Sequence, residues 1–200
     1  MTVEKQFWNK NYAEGGNSGR GSIGLYRNWK WNKIHQMIPK IREVLDVGCG
    51  DLKFWKHPIA NQILKKPGFD YLGIDISDEI ITRNINEQSP RMKFVCAPSH
   101  LYLAKEMQVV FCLDLLFHIM DDVNFEMTLE HLCESAKEWI VIYTWKKNPF
   151  PDSATDGISQ TYRKLTDYRH IFDKKFVLKQ FFQVPYDPFG VLYFLKRVIY

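Results

Sequence analysis

Glu43-Val44-Leu45-Asp46-Val47-Gly48-Cys49-Gly50-Asp51 reads as a short apolar strand running into a glycine-rich turn, with an acid just ahead of the first glycine. A strand that hands over to a helix through glycines is where open α/β sheets dock ligands. The rest of the chain can be read outward from this point.

Downstream, a second strand, Tyr71-Leu72-Gly73-Ile74-Asp75, again ends in an acid, 25 residues beyond Gly50. Ser77 follows as a helix cap, with Asp78 and Glu79 in the first turn, and Ser89-Pro90 closes that helix. Met92 to Cys96 is a third strand. Gln108 to Leu113 is a fourth and ends at Asp114. Asp121-Asp122 opens an amphipathic helix, whose Phe125, Thr128, Leu129, Leu132, Cys133 and Ala136 recur at helical spacing. Trp139 to Tyr143 is a fifth strand, continuous and apolar as buried parallel strands are. Residues 146–157 form a loop, Ile158 to Ile171 a helix, and Phe176 to Val184 and Val191 to Val198 a closing hairpin.

Upstream, Ile23 to Ile38 is predicted to be a helix ended by Pro39, and a short helix should start at Leu52 and be limited by Pro58. Residues 1–22 are polar and rich in glycine, which argues for a flexible arm or a lid over a pocket; residues 23–200 then form a single domain. Strands alternating with helices imply right-handed crossovers. The fold class is therefore α/β, a Rossmann-like doubly wound sheet of seven mostly parallel strands, with one antiparallel strand from the C-terminal hairpin. Asp46, Asp75 and Asp114 all fall at strand ends, on the edge of the sheet where such folds bind ligands.

The bulk numbers narrow the function. With 27 Lys and Arg against 23 Asp and Glu, the net charge of +4 is mild and no run of like charge suggests a nucleic-acid tract. Cys49, Cys96, Cys112 and Cys133 form no C-x-x-C pair, so no metal site is expected and a reduced, cytoplasmic setting fits. No apolar run approaches the ~20 residues of a membrane span. The dinucleotide fingerprint G-x-G-x-x-G would need glycine at Lys53, and no phosphate-binding G-x-x-x-x-G-K-[ST] occurs. Asp46 and Asp51 bracket the turn with negative charge, which repels a pyrophosphate. A cationic adenosyl ligand is favoured instead, with its ribose hydroxyls donating to Asp75.

The chain here resembles the class I S-adenosylmethionine-dependent methyltransferases. Val44-Leu45-Asp46-Val47-Gly48-Cys49-Gly50 is similar to their first motif and Gly73-Ile74-Asp75-Ile76-Ser77 to their second. Leu113-Asp114-Leu115-Leu116-Phe117-His118-Ile119 is similar to their fourth, and Val191 to Arg197 to their seventh strand. The resemblance runs from about residue 40 to the end. It implies S-adenosylmethionine as cofactor, held by Asp46, Gly48, Cys49, Gly50, Asp75, Ile76, Ala97, Pro98 and Asp114. Arg20, in the glycine-rich arm, is a candidate partner for the methionine carboxylate or for an acidic substrate. Two departures stand out. Leu52 replaces a glycine common in the family, and Cys96-Ala97-Pro98-Ser99 lacks the acid often placed near the adenine amine, which leaves adenine to backbone groups, Ser99 or apolar packing.

Methyl transfer asks the protein mainly to align and desolvate, and a base is needed only for a protonated acceptor. His118 is the candidate catalytic base; a structural histidine is the alternative. Tyr12, Tyr143, Trp145, Gln160, Tyr162 and Arg163 are candidates for the acceptor site. The fourth strand's tip lacks the N/D-P-P-Y/F segment of exocyclic base methylation, and no Pro-Cys motif supports cytosine chemistry. The expected acceptor is an oxygen or nitrogen of a small molecule. An RNA or protein substrate, or a non-catalytic cofactor-binding module, remain the competing readings.

Overall fold

A computed structural model describes residues 2–87, 92–150 and 152–198. The chain opens with helix α1 (Val3–Ala13) and α2 (Gly24–Met37), then strand β1 (Glu43–Val47), α3 (Pro58–Leu64), β2 (Asp70–Asp75) and α4 (Asp78–Glu87). It continues through β3 (Met92–Cys96), β4 (Met107–Leu113), α5 (Asp122–Ser135), β5 (Ala136–Trp145), a short α6 (Arg169–Phe172), β6 (Phe176–Gln183) and β7 (Gly190–Arg197).

The seven strands form one sheet in the order β3-β2-β1-β4-β5-β7-β6. β1 pairs in parallel with β2 and β4, β2 with β3, and β4 with β5, while β7 runs antiparallel to both β5 and β6. The chain leaves β1 toward β2 and β3, then returns to build β4 and β5 on the other side, so the strand order reverses between β1 and β4. That reversal opens a crevice beyond the carboxyl ends of these strands.

Each central strand is apolar on both faces because both are covered. Val109, Phe111 and Leu113 of β4 face α2, α3 and α4, together with Trp31, Ile34, Ile63 and Ile80. Val110 and Cys112 face α5 and α6, together with Phe125, Leu129, Leu132 and Phe172. α5 starts where Asp121 accepts from the Asn124 N–H at 2.8 Å, a cap that satisfies one of the helix's open donors. No helix among the described residues is long and apolar enough to cross a membrane.

Three local expectations are corrected. Residues 3–13 are helical, capped by the Thr2 hydroxyl on the Lys5 N–H; the glycines that suggested a loop act only beyond Ala13. Leu52 starts no α-helix. It takes the left-handed conformation (φ 56°) before a single 3-10 turn, Lys53–Trp55, and Pro58 begins α3 instead of limiting a helix. The left-handed backbone costs a branched residue roughly 1–2 kcal/mol, and burying the Leu52 side chain among core aromatics offsets it. The third correction is residues 158–171, which are not one helix. The Asp156 carboxylate accepts from the N–H groups of Ile158, Ser159 and Gln160 at 2.8–2.9 Å. Gly157 takes φ 74°, and Thr155 bridges Thr161. A tight turn replaces the first helical turns, and helix returns only in a 3-10 turn (Leu165–Tyr168) and α6. The expected stop of α4 at Ser89-Pro90 lies outside the described residues.

Candidate active site

The glycine turn after β1 bends back against β2. The N–H groups of Gly48 and Cys49 both donate to the Ile74 carbonyl, at 2.8 and 3.0 Å, and Gly50 N–H donates to the Asp75 carboxylate at 3.0 Å. Gly48 and Gly50 have φ of 77° and 52°, values that glycine adopts without strain. A side chain at Gly50 would also strike the Ser18 hydroxyl 2.1 Å away.

The arm closes over this turn. The Ser18 hydroxyl donates to Asp51 at 2.9 Å and accepts from the Asp51 N–H at 2.9 Å, while the Tyr12 hydroxyl sits 3.1 Å from Ser18. Farther back, Arg83 donates to the Tyr12 carbonyl at 3.1 Å and Ser77 to Asn9 at 2.7 Å. Two adjoining cavities result. The first runs past Gly48, Gly50, Asp75, Ile76, Ala97 and Pro98 to Asp114 and His118, roofed by Trp8 and Tyr12. The second is walled by Arg20, Tyr26, Phe117, Tyr143, Trp145 and Gln160, with Asp187. Ser18, Asp114 and His118 stand on both.

Asp75 fits the role of a hydroxyl acceptor. Its two oxygens take the N–H groups of Gly50 and Ser77, each at 3.0 Å, and each oxygen keeps a further lone pair for the cavity. Burial raises its pKa, and the backbone N–H groups pull it partly back.

Asp114, at φ 60°, forms an ion pair with Lys30, a residue the sequence reading passed over. Lys30 is fully buried in α2; its Nζ donates to the Gly21 carbonyl at 3.0 Å and lies 3.6 Å from the centre of the Tyr143 ring. A signal was present: Lys30 stands four residues after Tyr26 and four before Ile34, on the inward stripe, where a lysine requires an acid. Burial lowers the Lys30 pKa, against the opposing charge of Asp114.

His118 Nδ1 lies 2.9 Å from the Ser159 carbonyl oxygen. A carbonyl only accepts, so Nδ1 carries the proton and Nε2 holds a free lone pair. Burial lowers the His118 pKa, which keeps the ring neutral at pH 7. Trp8 meets it edge-on at 4.9 Å.

Several predicted residues lie elsewhere. Asp46 is not at the rim. It shares the face of β1 that carries Val44, and its carboxylate accepts from Trp55 Nε1 at 2.7 Å and the Tyr71 hydroxyl at 2.8 Å inside the core. Asp51 is likewise engaged, by Ser18 and by Lys53 at 3.1 Å, so the acids facing the first cavity are Asp75, Asp114 and, from α1, Glu4. Cys49 is buried, its sulfur packed toward Gly73, and burial holds the thiol protonated. Arg20 lines the second cavity and reaches Asp187 at 3.5 Å, and Tyr12 lines the first. Tyr143, Trp145 and Gln160 line the second cavity, with Trp145 stacked on Phe117 at 4.2 Å. Tyr162 and Arg163 reach neither. The Tyr162 hydroxyl donates to the Lys146 carbonyl at 3.1 Å. Arg163 donates to the Ile119 and Met120 carbonyls and to Asp122, all within 2.8 Å, and braces the start of α5. Among the described residues no group of acids, histidines and cysteines is placed to hold a metal.

The buried Asp46 gives a pH test. An ordinary aspartate titrates at 3.8, and burial pushes Asp46 up to about 6 despite its two hydrogen bonds. The folded state therefore holds this proton more tightly than the unfolded chain. The stabilisation is fully present below 3.8 and is lost as pH rises through 6. The gap corresponds to about 3 kcal/mol. Asp46→Asn keeps an oxygen for Trp55 and Tyr71 and removes the titration. Urea denaturation should show wild type losing about this much relative to the variant between pH 4 and pH 7.5; a difference that does not vary with pH would contradict it.

No protein-family profile and no curated protein sequence matches the chain. Solved structures do. Magnesium protoporphyrin IX methyltransferase (ChlM) from Synechocystis PCC 6803, with bound SAH, superposes with a TM-score of 0.68 at 15% identity, over 98% of this chain and 100% of that one. The 1,6-didemethyltoxoflavin-N1-methyltransferase of Burkholderia thailandensis gives 0.70 at 12% identity, over 98% and 88%. The [4+2]-cyclase SpnF gives 0.66 at 13% identity, over 98% and 96%. The chain has the fold of the class I S-adenosylmethionine-dependent methyltransferases, as the motifs suggested. At these identities the likeness concerns the fold, and SpnF marks that the fold also carries other chemistry.

Proposed function

We propose that this protein is an S-adenosylmethionine-dependent methyltransferase acting on an oxygen or nitrogen of a small molecule. The observation that carries the reading is the pair of adjoining cavities that meet at Asp114 and His118, one edged by the glycine turn and Asp75, the other by aromatic side chains. In this reading the first cavity takes the cofactor and the second the acceptor. Asp75 accepts from the ribose hydroxyls, Gly48 and Gly50 allow close approach, and Ile76, Ala97 and Pro98 form an apolar slot for the base. In this reading Tyr12 belongs to the cofactor side and Arg20 to the acceptor side.

The cofactor supplies an electrophilic methyl group. The chain aligns the acceptor and excludes water: Tyr143, Trp145 and Phe117 provide flat walls, and the arm from Ser18 to Gly21 closes one side. His118 Nε2, neutral and unprotonated, takes the acceptor's proton. The similar solved structures named for small substrates, magnesium protoporphyrin IX and 1,6-didemethyltoxoflavin, support an acceptor of this size.

Calorimetry with S-adenosylmethionine, S-adenosylhomocysteine and NAD tests the cofactor. Binding of NAD with neither sulfur ligand bound would overturn the reading. His118 is tested by pH. Turnover should rise through a pKa below 6.5 and then level off, since burial lowers the imidazole pKa. His118→Asn keeps a donor for the Ser159 carbonyl but has no base. It should cost about 10²–10⁴-fold in turnover and abolish the acid limb. Wild-type turnover with an unchanged pH profile in this variant would reduce His118 to a structural role.

A further inference from the structure

The wall at the end of β3 lacks an acid, and the neutral acceptors there each already hold one hydrogen bond. The adenine amine donates, so only acceptors can read it, and the Pro98 carbonyl already accepts from Leu101 at 3.1 Å. The Ser99 and Thr128 hydroxyls bond each other at 2.8 Å, and Thr128 donates onward to the Asn124 carbonyl at 2.8 Å, so the Ser99 proton is directed at Thr128. The Ser99 carbonyl is held by His131 at 3.2 Å.

A carboxylate reaches this wall from outside the core fold. Glu4 lies in the first turn of α1 and lines the same cavity as Ala97, Pro98, Ser99 and His100. That turn is pinned beside the end of β3, because Lys5 pairs with Asp78 at 2.8 Å and reaches the Cys96 sulfur at 3.8 Å. Among the described residues Glu4 has neither a hydrogen bond nor an ion pair through its side chain. Its charge acts on His100, whose pKa burial lowers and Glu4 partly restores. Asn124 contributes the neighbouring neutral amide.

We propose that Glu4 accepts the exocyclic amine of the cofactor's purine, so that the N-terminal helix supplies the acid β3 lacks. This rests on the cofactor reading given above. An adenine amine donates to a carboxylate, whereas the 6-oxo group of hypoxanthine presents a lone pair and is repelled. The first cavity is then specific for adenosyl over inosyl ligands because of a residue outside the sheet.

The test is calorimetric titration of the full chain with S-adenosylhomocysteine and with S-inosylhomocysteine. Wild type should prefer the adenosyl ligand by at least about tenfold. In Glu4→Gln, whose amide can also donate to a 6-oxo group, the ratio should collapse toward one. Because the readout is a ratio within one protein, a general loss of affinity does not mimic it. An unchanged ratio in Glu4→Gln overturns the inference and leaves the cofactor reading standing. So does a ratio that collapses only in Asn124→Ala. Failure of wild type to bind either ligand overturns both.

Discussion

Lys30→Met should destabilise this protein by about 3–5 kcal/mol, the scale of breaking a buried ion pair by removing one partner. The Lys30 side chain is entirely enclosed, and its loss strands the Asp114 carboxylate, only 16% exposed, without its cation. The Gly21 carbonyl loses its donor as well. Urea denaturation should show a lower midpoint with an unchanged slope. Adding Asp114→Asn to Lys30→Met should recover a substantial part of the loss, since no unpaired charge then remains. A double variant as unstable as the sum of the two single variants would show that the pair is not coupled.

Asp75→Ala should weaken S-adenosylhomocysteine binding by about 100-fold or more, corresponding to about 3 kcal/mol. Hydrogen bonds to a charged acceptor are worth more than neutral ones, and Asp75 would accept two from the ribose. The same carboxylate fixes the Gly50 and Ser77 N–H groups, so the glycine turn loses its anchor along with the ligand contact. Turnover should fall in step with affinity. Because the Gly50 and Ser77 N–H groups lose their acceptor, the variant also loses some stability, and thermal melting separates a binding defect from unfolding. An affinity within twofold of wild type would remove Asp75 from the site and with it the cofactor assignment.

The sheet was legible because its central strands are buried on both faces and read as continuous apolar runs, Val109 to Leu113 and Ile140 to Tyr143 among them. α5 was legible because its apolar spacing and its Asp121 cap agree. α1 was missed because only Tyr12 of its residues is fully buried, and the glycines that follow dominate the composition. Residues 158–171 were misread because Ile158 and Ile171 sit at plausible helical positions. The local chemistry of Asp156 and Gly157 outweighs that pattern. Within the site, Asp75, Gly48, Gly50 and Asp114 could be placed from their position at strand ends. The direction of Asp46 could not, because it depends on Trp55 and Tyr71, donors brought in by tertiary packing. Lys30 and Glu4 come from helices outside the strand-turn-helix units that carry the motifs, and no spacing within those units points to them.

Ser18 stands on the wall of both cavities, and the few residues after it form a shared partition latched to Asp51 at one end and to Lys30 at the other. A molecule on one side that shifts this partition alters the surroundings of a molecule on the other. Thermodynamic reciprocity then requires a single coupling factor: however much one occupant changes the grip on its neighbour, the neighbour changes the grip on it by the same ratio. Whatever coupling passes through Ser18 is thus one number shared by both chambers, while each keeps its own intrinsic affinity.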